Sequence, residues 1–200
     1  MHPEWLNSFN LQNSKAGLVS VVIPTRNSGR TIRACLESIN NQSYRNIETI
    51  VVDALSSDDT VQIAKSLGAS IVSLDSERAR AKNEGIARSR GEFLLFIDSD
   101  MVLESKVIEE CVNASRTSRD AVGVIIPERS VGNSPWVKVR DFERSLYAGS
   151  KIESARFFRR DPVVKVGGFD EEFIFFEEST LPQRIENLGL DVNGRISSSI

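Results

Sequence analysis

Residues 91–100 read GEFLLFIDSD, and this stretch decides the fold class of the chain. Residues 92–97 form a short, mostly apolar run that follows Gly91 and ends at Asp98-Ser99-Asp100. A short apolar run between turn-forming residues is typical of a buried strand. We therefore predict a strand whose carboxyl end carries two aspartates.

Comparable apolar runs precede this stretch, and helical patterns separate them. Strands are predicted at residues 18–23, 47–52 and 69–74. Ile32, Cys35, Leu36 and Ile39 show the i, i+3, i+4, i+7 spacing of a helix. Further helices are predicted at residues 61–67 and 78–88. Strands and helices that alternate at this spacing form a mostly parallel sheet with right-handed crossovers.

The alternation continues through a helix near residues 104–114 and a strand at 121–126, and it breaks after Pro127. Beyond it we predict a loop plus a helix at 128–149, a strand at 155–159, and a helix at 178–188 whose buried stripe is Leu181, Ile185 and Leu188. The sequence thus predicts an α/β fold. One domain, residues 18–200, has a mostly parallel central sheet flanked by helices and follows an N-terminal extension of residues 1–17.

Composition excludes several classes of function. The 200 residues contain 25 Lys and Arg against 28 Asp and Glu, and this net charge of −3 argues against nucleic acid as a partner. His2 is the only histidine, and Cys35 and Cys111 are isolated, so catalytic triads, His-based zinc sites and disulfide frameworks lack their residues. Because no apolar stretch could span a bilayer and no secretory leader is recognisable, we expect a cytoplasmic protein.

Ligands bind at the carboxyl edge of open parallel sheets, and two aspartates are predicted there. Asp98 and Asp100, at i and i+2 of an extended segment, would point to the same side and could share one Mg²⁺ or Mn²⁺ ion. The alternative is a polar turn that closes the strand. The chain has neither a GxGxxG loop nor a P-loop, so a metal ion and cationic side chains would have to hold any phosphate.

Other charged residues near this edge have two interpretations each. Asp53 either accepts hydrogen bonds from a base or ribose, or it stabilises an Asx turn. Arg78 and Lys82 either neutralise phosphates or form a solvated helix face. Glu177 and Glu178 either complement the positive end of a helix or supply a general base, which requires one ionised carboxylate near an acceptor hydroxyl.

Five segments, taken in order, resemble the motifs of the family 2 glycosyltransferases of the GT-A fold. They are VSVVIPTRN at 19–27, IVVD at 50–53 with SSDDT at 56–60, AKNEGI at 81–86 with GEFLLFIDSD, VGGFDE at 166–171, and EESTL at 177–181 with Arg184. Together they cover nearly all of residues 18–194. The resemblance implies an inverting transferase with a nucleotide-sugar-binding half at residues 18–100 and an acceptor-binding half at residues 101–200.

The resemblance also implies roles for individual residues. The donor would be bound by Pro24, Thr25, Arg26, Asp53, Arg78, Lys82, Asp98 and Ser99. Asp98 and Asp100 would hold a divalent cation, Mg²⁺ or Mn²⁺, and Glu178, where Asp is usual, would be the catalytic base. Besides Glu178, the chain departs from the family pattern in two places: Arg26 stands where an aromatic residue is common, and Ala54-Leu55 replaces Asp-Gly, which removes one carboxylate.

The reaction implied is transfer of a sugar from a nucleoside diphosphate sugar to an acceptor hydroxyl. A UDP-sugar is favoured as the donor over a GDP-sugar, and the acceptor would be a glycan or a lipid-linked molecule. Many family members continue beyond the position of Ile200, so the chain would be the catalytic part of a longer protein. The family also implies that such a protein works at the inner face of a membrane. Two alternatives stay open. One is a nucleotide-sugar-binding domain that has lost catalysis, and the other is a haloacid-dehalogenase-like phosphatase, whose DxDx[TV] motif residues 98–102 also satisfy.

Overall fold

The computed structural model of the chain describes residues 14–117, 121–130, 135–147, 155–172 and 177–200. The strands in these residues are β1 (Lys15–Thr25), β2 (Ile47–Asp53), β3 (Ser70–Ser73), β4 (Gly91–Phe96), β5 (Gly123–Ile125), β6 (Phe157–Arg159) and β7 (Gly194–Arg195). The helices are α1 (Ile32–Asn40), α2 (Thr60–Ser66), α3 (Arg78–Arg88), α4 (Val107–Thr117), α5 (Pro135–Tyr147), α6 (Arg160–Lys165) and α7 (Glu177–Glu186).

The strands form one sheet in the order β3-β2-β1-β4-β6-β5-β7. Strands β3, β2, β1 and β4 are parallel to one another, which confirms the predicted α/β fold with a mostly parallel sheet. Side chains of β1 alternate between the two faces of the sheet. Val21 packs with Ile32 and Ile108 in one core cluster, and Val22 packs with Ile86 in the other. Helices therefore cover both faces, and the carboxyl ends of β1, β2 and β4 meet at one edge.

Strand β6 enters this sheet antiparallel, between β4 and β5. Phe157 pairs with Leu95, and the backbone N–H of Phe96 donates to the carbonyl of Arg156 at 2.9 Å. The sequence predicted a strand here but neither its direction nor its place. Because of this pairing, residue 156 lies beside the carboxyl end of β4 although it is far from it in sequence.

Several local predictions need correction. Helix α7 ends at Glu186, and Leu188 lies beyond it with 41% of its surface exposed, so the predicted buried stripe consists of Leu181 and Ile185 alone. Strand β1 begins at Lys15, inside the segment predicted as an extension, and residues 1–13 lie outside the described part of the chain. Helix α6 and strand β7 were not predicted. None of the described helices is long and apolar enough to cross a membrane.

The segment 197–199 is tied to helix α4 by hydrogen bonds from serines to carboxylates. Ser198 donates to Glu110 through its N–H and its hydroxyl, at 3.0 and 2.8 Å, and Ser197 donates to the same carboxylate. These hydrogen bonds lower the pKa of Glu110 to about 2. The segment thereby brings Ile200 into the core.

Candidate functional site

An open cleft of about 1440 Å³ lies at the carboxyl edge of the sheet. Most of the residues predicted to bind a donor or a metal ion line it, namely Pro24, Thr25, Arg26, Arg78, Asp98, Ser99 and Asp100. They come from three places in the fold: the end of β1, the first turn of α3, and the turn after β4. The parallel topology brings these places together.

The turn after β1 forms one wall of the cleft. Asn27 adopts a left-handed conformation with φ of 50°, which asparagine tolerates better than most residues. Its side-chain carbonyl accepts the N–H of Ser57 at 2.8 Å, which ties this turn to the one after β2. Thr25 lines the same wall, and its buried Oγ1 has no hydrogen-bond partner among the described residues. A buried hydroxyl of this kind can bond to a ligand.

Asp53 lies at the end of β2 and is buried rather than exposed in the cleft. Its carboxylate accepts hydrogen bonds from the N–H and the hydroxyl of Ser56, at 2.9 and 2.5 Å. This is the local turn that the sequence offered as the alternative to base binding. Contact between Asp53 and a nucleotide base stays a prediction.

The two aspartates after β4 lie in a turn. The extended segment predicted for them from the sequence is not present. The N–H of Met101 donates to the carbonyl of Asp98 at 3.1 Å, and the hydroxyl of Ser99 donates to that of Ser28 at 2.8 Å. Asp98 is partly buried, whereas Asp100 is exposed in the cleft. Both residues line the same cleft.

Cys35 underlies this turn, and its Sγ donates to the carbonyl of Asp98 at 3.7 Å. Burial, with the nearby carboxylates of Asp100 and Asp98, raises the pKa of its thiol to about 12. The buried thiol is therefore protonated at neutral pH, which disfavours a role as a nucleophile. Among the described residues, no three His, Cys, Asp or Glu side chains come together as a metal-binding group.

Lys82 lies one turn along α3 from Arg78, but the two side chains occupy different surroundings. Arg78 is exposed at the mouth of the cleft, and its Nη1 is 3.9 Å from Oδ1 of Asp98. Lys82 is buried, and its Nζ lies 4.9 Å from the centre of the Phe169 ring. Lys82 thus contacts the GGFDE segment and is not among the residues that line the cleft.

Two side chains hold the GGFDE segment in place: Asn83, which is buried, and Arg184, which is partly buried. The side chain of Asn83 exchanges hydrogen bonds with the backbone of Phe169, at 2.8 and 2.9 Å, and donates to Glu171. Arg184 of α7 donates to the carbonyl of Gly168 at 3.0 Å and also to that of Val166. Helices α3 and α7 are therefore joined through this segment.

The predicted base, Glu178, lies in the first turn of α7, since this helix begins at Glu177. The side chains of Glu177 and Glu178 lie outside the described part of the structure. The choice between them stays a prediction. Leu181 and Ile185 of the same helix are fully buried, so the helix itself is firmly packed against the core.

Sequence reasoning missed Arg156 and Glu128, which also line the cleft. The Nε of Arg156 donates to Oε1 of Glu128 at 2.5 Å, and its Nη1 is 3.8 Å from Oδ2 of Asp98. Nothing in the local pattern marks them, because both are single charged residues beside short strands. An arginine next to the apolar pair Phe157-Phe158 was the one available hint.

The fold and this cleft define a class of protein, the GT-A glycosyltransferases. S. aureus TarS in complex with UDP-GlcNAc matches with a TM-score of 0.72 over 90% of this chain and 56% of that chain, at 21% identity. The mannosyltransferase PcManGT from Pyrobaculum calidifontis, in complex with GDP-Man and Mn²⁺, matches with a TM-score of 0.69 over 96% of this chain and 61% of that chain, at 20% identity. At these identities the likeness shows the fold.

Within this class, the family model of glycosyl transferase family 2 matches residues 20–177, and the chain belongs to this family. Glycosyltransferase GlyG from Streptococcus pneumoniae serotype 4 is 36% identical over 99 residues, which are 46% of this chain and 33% of GlyG. A PGL/p-HBAD biosynthesis glycosyltransferase from Mycobacterium bovis is 28% identical over 166 residues, 78% of this chain and 64% of that protein. The chain spans about a third of the length of several curated relatives it matches. Family membership argues against the phosphatase alternative.

Proposed function

We propose that the chain is the donor-binding and catalytic part of an inverting glycosyltransferase, which moves a sugar from a nucleoside diphosphate sugar to an acceptor hydroxyl. One observation carries the proposal. The cleft gathers two aspartates with Arg26, Arg78 and Arg156 at the carboxyl edge of the sheet. Such a set can hold a diphosphate and a cation side by side. Family membership supports the same chemistry.

The donor would lie with its diphosphate among the guanidinium groups. Guanidinium forks match phosphate oxygens and stay charged at every physiological pH. The hydroxyl of Thr25, which has no partner within the described part of the chain, would offer a further hydrogen bond. A UDP-sugar is the favoured donor and a GDP-sugar the second choice, in line with the UDP-GlcNAc and GDP-Man bound in the two similar structures.

A divalent cation, Mg²⁺ or Mn²⁺, would be held by Asp98 and Asp100, and it would offset the charge of the departing diphosphate. These residues fit such an ion. Hard cations prefer carboxylate oxygens, and Mg²⁺ is commonly bound by one or two carboxylates together with substrate phosphates. The exposed carboxylate of Asp100 is open to the cleft, where a diphosphate could share the ion.

Glu178 would act as the general base at the start of α7. In an inverting displacement the base accepts the proton of the acceptor hydroxyl. The acceptor oxygen forms its bond to the anomeric carbon while the bond to the diphosphate breaks on the opposite face. Helix α7 is suited to hold such a group steady, because Arg184 joins it to the GGFDE segment.

The acceptor would be a hydroxyl of a glycan or of a lipid-linked molecule, and the reaction would take place in the cytoplasm at the inner face of a membrane. Chondroitin synthase from Escherichia coli, 27% identical over 144 residues that are 69% of this chain and 21% of the synthase, carries the name of a glycan product and supports the first choice.

Binding of nucleoside diphosphates tests the donor and the cation. Thermal unfolding should be measured with UDP, GDP or dTDP, each with and without Mn²⁺. A ligand at about 100 times its Kd adds about 2.7 kcal/mol to the free energy of unfolding. We expect UDP with Mn²⁺ to give the largest shift, and Asp100→Asn to abolish the Mn²⁺ effect while the fold is kept. No shift with any nucleotide would refute the proposal.

A binding domain that has lost catalysis is the second candidate. It is favoured by Ala54, which lines the cleft where the family pattern has a carboxylate. The same sample decides between the two: slow release of nucleoside diphosphate from the sugar nucleotide that binds best indicates an enzyme. Tight binding without any such release, in the presence of Mn²⁺ and candidate acceptors, indicates the binding domain.

A further inference from the structure

Arg156 is a buried arginine that lines the cleft. The residue is only 8% exposed, yet it belongs to the cleft lining. It is placed there by the antiparallel pairing of β6 with β4, which sets the backbone of residue 156 against Phe96. A buried cation is costly unless carboxylates accompany it. Glu128, at 2.5 Å, and Asp98, at 3.8 Å, meet this requirement.

The carboxylate of Asp98 lies between two arginines that differ in exposure. Its Oδ1 is 3.9 Å from Arg78, whose side chain is 58% exposed, and its Oδ2 is 3.8 Å from Arg156, whose side chain is 9% exposed. Solvent screens the first pair much more than the second. Because the two distances are nearly equal, the electrostatic attraction of Asp98 to Arg156 is therefore stronger than its attraction to Arg78.

We propose that Arg156 is a positioning residue for the donor diphosphate. Before the donor binds, Arg156 pairs with Asp98 and holds the first aspartate of the DxD turn in the cleft. When the diphosphate binds, the guanidinium releases Asp98 and pairs with a phosphate oxygen. The Asp98 carboxylate can then bind the cation or the donor ribose. No covalent bond changes in this exchange. The inference rests on the proposed function and deepens it.

This exchange predicts effects of opposite sign on two ligands. If Arg156 is removed, a diphosphate loses a charged hydrogen-bond donor and should bind more weakly. A cation meets an Asp98 that has lost a neighbouring positive charge, so it should bind as tightly as before or more tightly. A residue that only keeps the cleft folded would weaken both ligands when it is removed.

Calorimetry on the full chain separates these cases with three probes: Mn²⁺ alone, inorganic pyrophosphate without metal, and UDP without metal. Arg156→Met keeps an unbranched side chain and removes the charge. We expect it to weaken pyrophosphate and UDP about 10- to 100-fold, the range for a lost charged hydrogen bond, and not to weaken Mn²⁺. Arg156→Lys should recover part of the pyrophosphate affinity.

Arg159→Met is the matched control, because Arg159 lies at the end of β6 and Arg156 comes directly before its start. Arg159 donates to the carbonyl of Ser115 at 2.5 Å, pairs with Glu92 at 3.9 Å, and does not belong to the cleft lining. Its removal should leave pyrophosphate affinity unchanged. Should Arg156→Met fail to fold, Glu128→Gln offers a second test, because it keeps the Arg156 charge while weakening its other partner. Pyrophosphate should then bind as tightly as before or more tightly.

Two results would overturn the inference while the proposed function stands. One is wild-type UDP affinity in Arg156→Met, and the other is equal weakening of Mn²⁺ and pyrophosphate in that variant. Loss of pyrophosphate binding in Glu128→Gln would have the same meaning. A wild-type chain that binds none of UDP, GDP and pyrophosphate would instead refute the proposed function, and this inference with it.

Discussion

Leu55 has a backbone conformation that leucine rarely adopts, and glycine at this position should relieve the strain that alanine would keep. Its φ is 55°, in the left-handed region, and 58% of its surface is exposed. The turn that contains it is held by the hydrogen bonds from Ser56 to Asp53. The family pattern has glycine at this position, where a missing Cβ removes the steric conflict.

The expected magnitude follows from two opposing effects. An L-residue in the left-handed region costs roughly 1–2 kcal/mol. The additional freedom of glycine in the unfolded chain costs about 0.4–1 kcal/mol. Leu55→Ala keeps the Cβ and so keeps the conflict, which makes it the reference. Leu55→Gly should therefore be about 0.5–1 kcal/mol more stable than Leu55→Ala. For a chain of this size, that difference corresponds to about 1–4 °C in the melting midpoint.

Urea unfolding of the wild type, Leu55→Gly and Leu55→Ala measures this difference. The slope with denaturant should stay the same in all three proteins, because the surface exposed on unfolding hardly changes. Comparison of the two variants cancels most of the loss of the leucine side chain. If Leu55→Gly were less stable than Leu55→Ala, the left-handed conformation would carry no strain and the reasoning would be wrong.

Three further variants test single groups. Asp53→Asn should weaken UDP by about 1–3 kcal/mol in calorimetry and ADP by less; equal weakening would mean that Asp53 contacts the ribose or only shapes its turn, and not that it binds the base. Glu178→Gln should lower kcat roughly 10²–10⁴-fold with donor affinity kept, whereas its control Glu177→Gln should cost only about 0.3–1 kcal/mol of helix stabilisation, and the reverse order would reassign the base. Hydrogen bonds from Ser198 lower the pKa of Glu110 to about 2 from its ordinary 4.5, so this stabilisation is complete above pH 4.5 and is lost as the pH falls towards 2. In Glu110→Gln, the free energy of unfolding measured by circular dichroism should accordingly fall less steeply as the pH is lowered below 4.5. An unchanged dependence on pH would refute this role.

The parallel half of the fold could be predicted from local patterns. Apolar runs and helical spacing place β1 to β4 and α1 to α3 with small errors at their ends, because each pattern reflects which side of one element is buried. The same patterns put Arg26, Arg78, Asp98 and Asp100 at the carboxyl edge, since parallel strands bring these ends together. The sequence by itself therefore determined the fold class and most of the cleft.

The tertiary structure decided what depends on long-range pairing. A strand after an irregular segment can join a sheet in either direction, and packing against β4 and β5 made β6 antiparallel. Only that choice brings Arg156 to Asp98. Likewise, helical spacing puts Arg78 and Lys82 on the same face of α3 but does not predict their burial. Lys82 is buried against Phe169, whereas Arg78, one turn earlier, is exposed. The periodicity of one element shows which residues share a face, whereas the contacts of that face depend on segments distant in sequence.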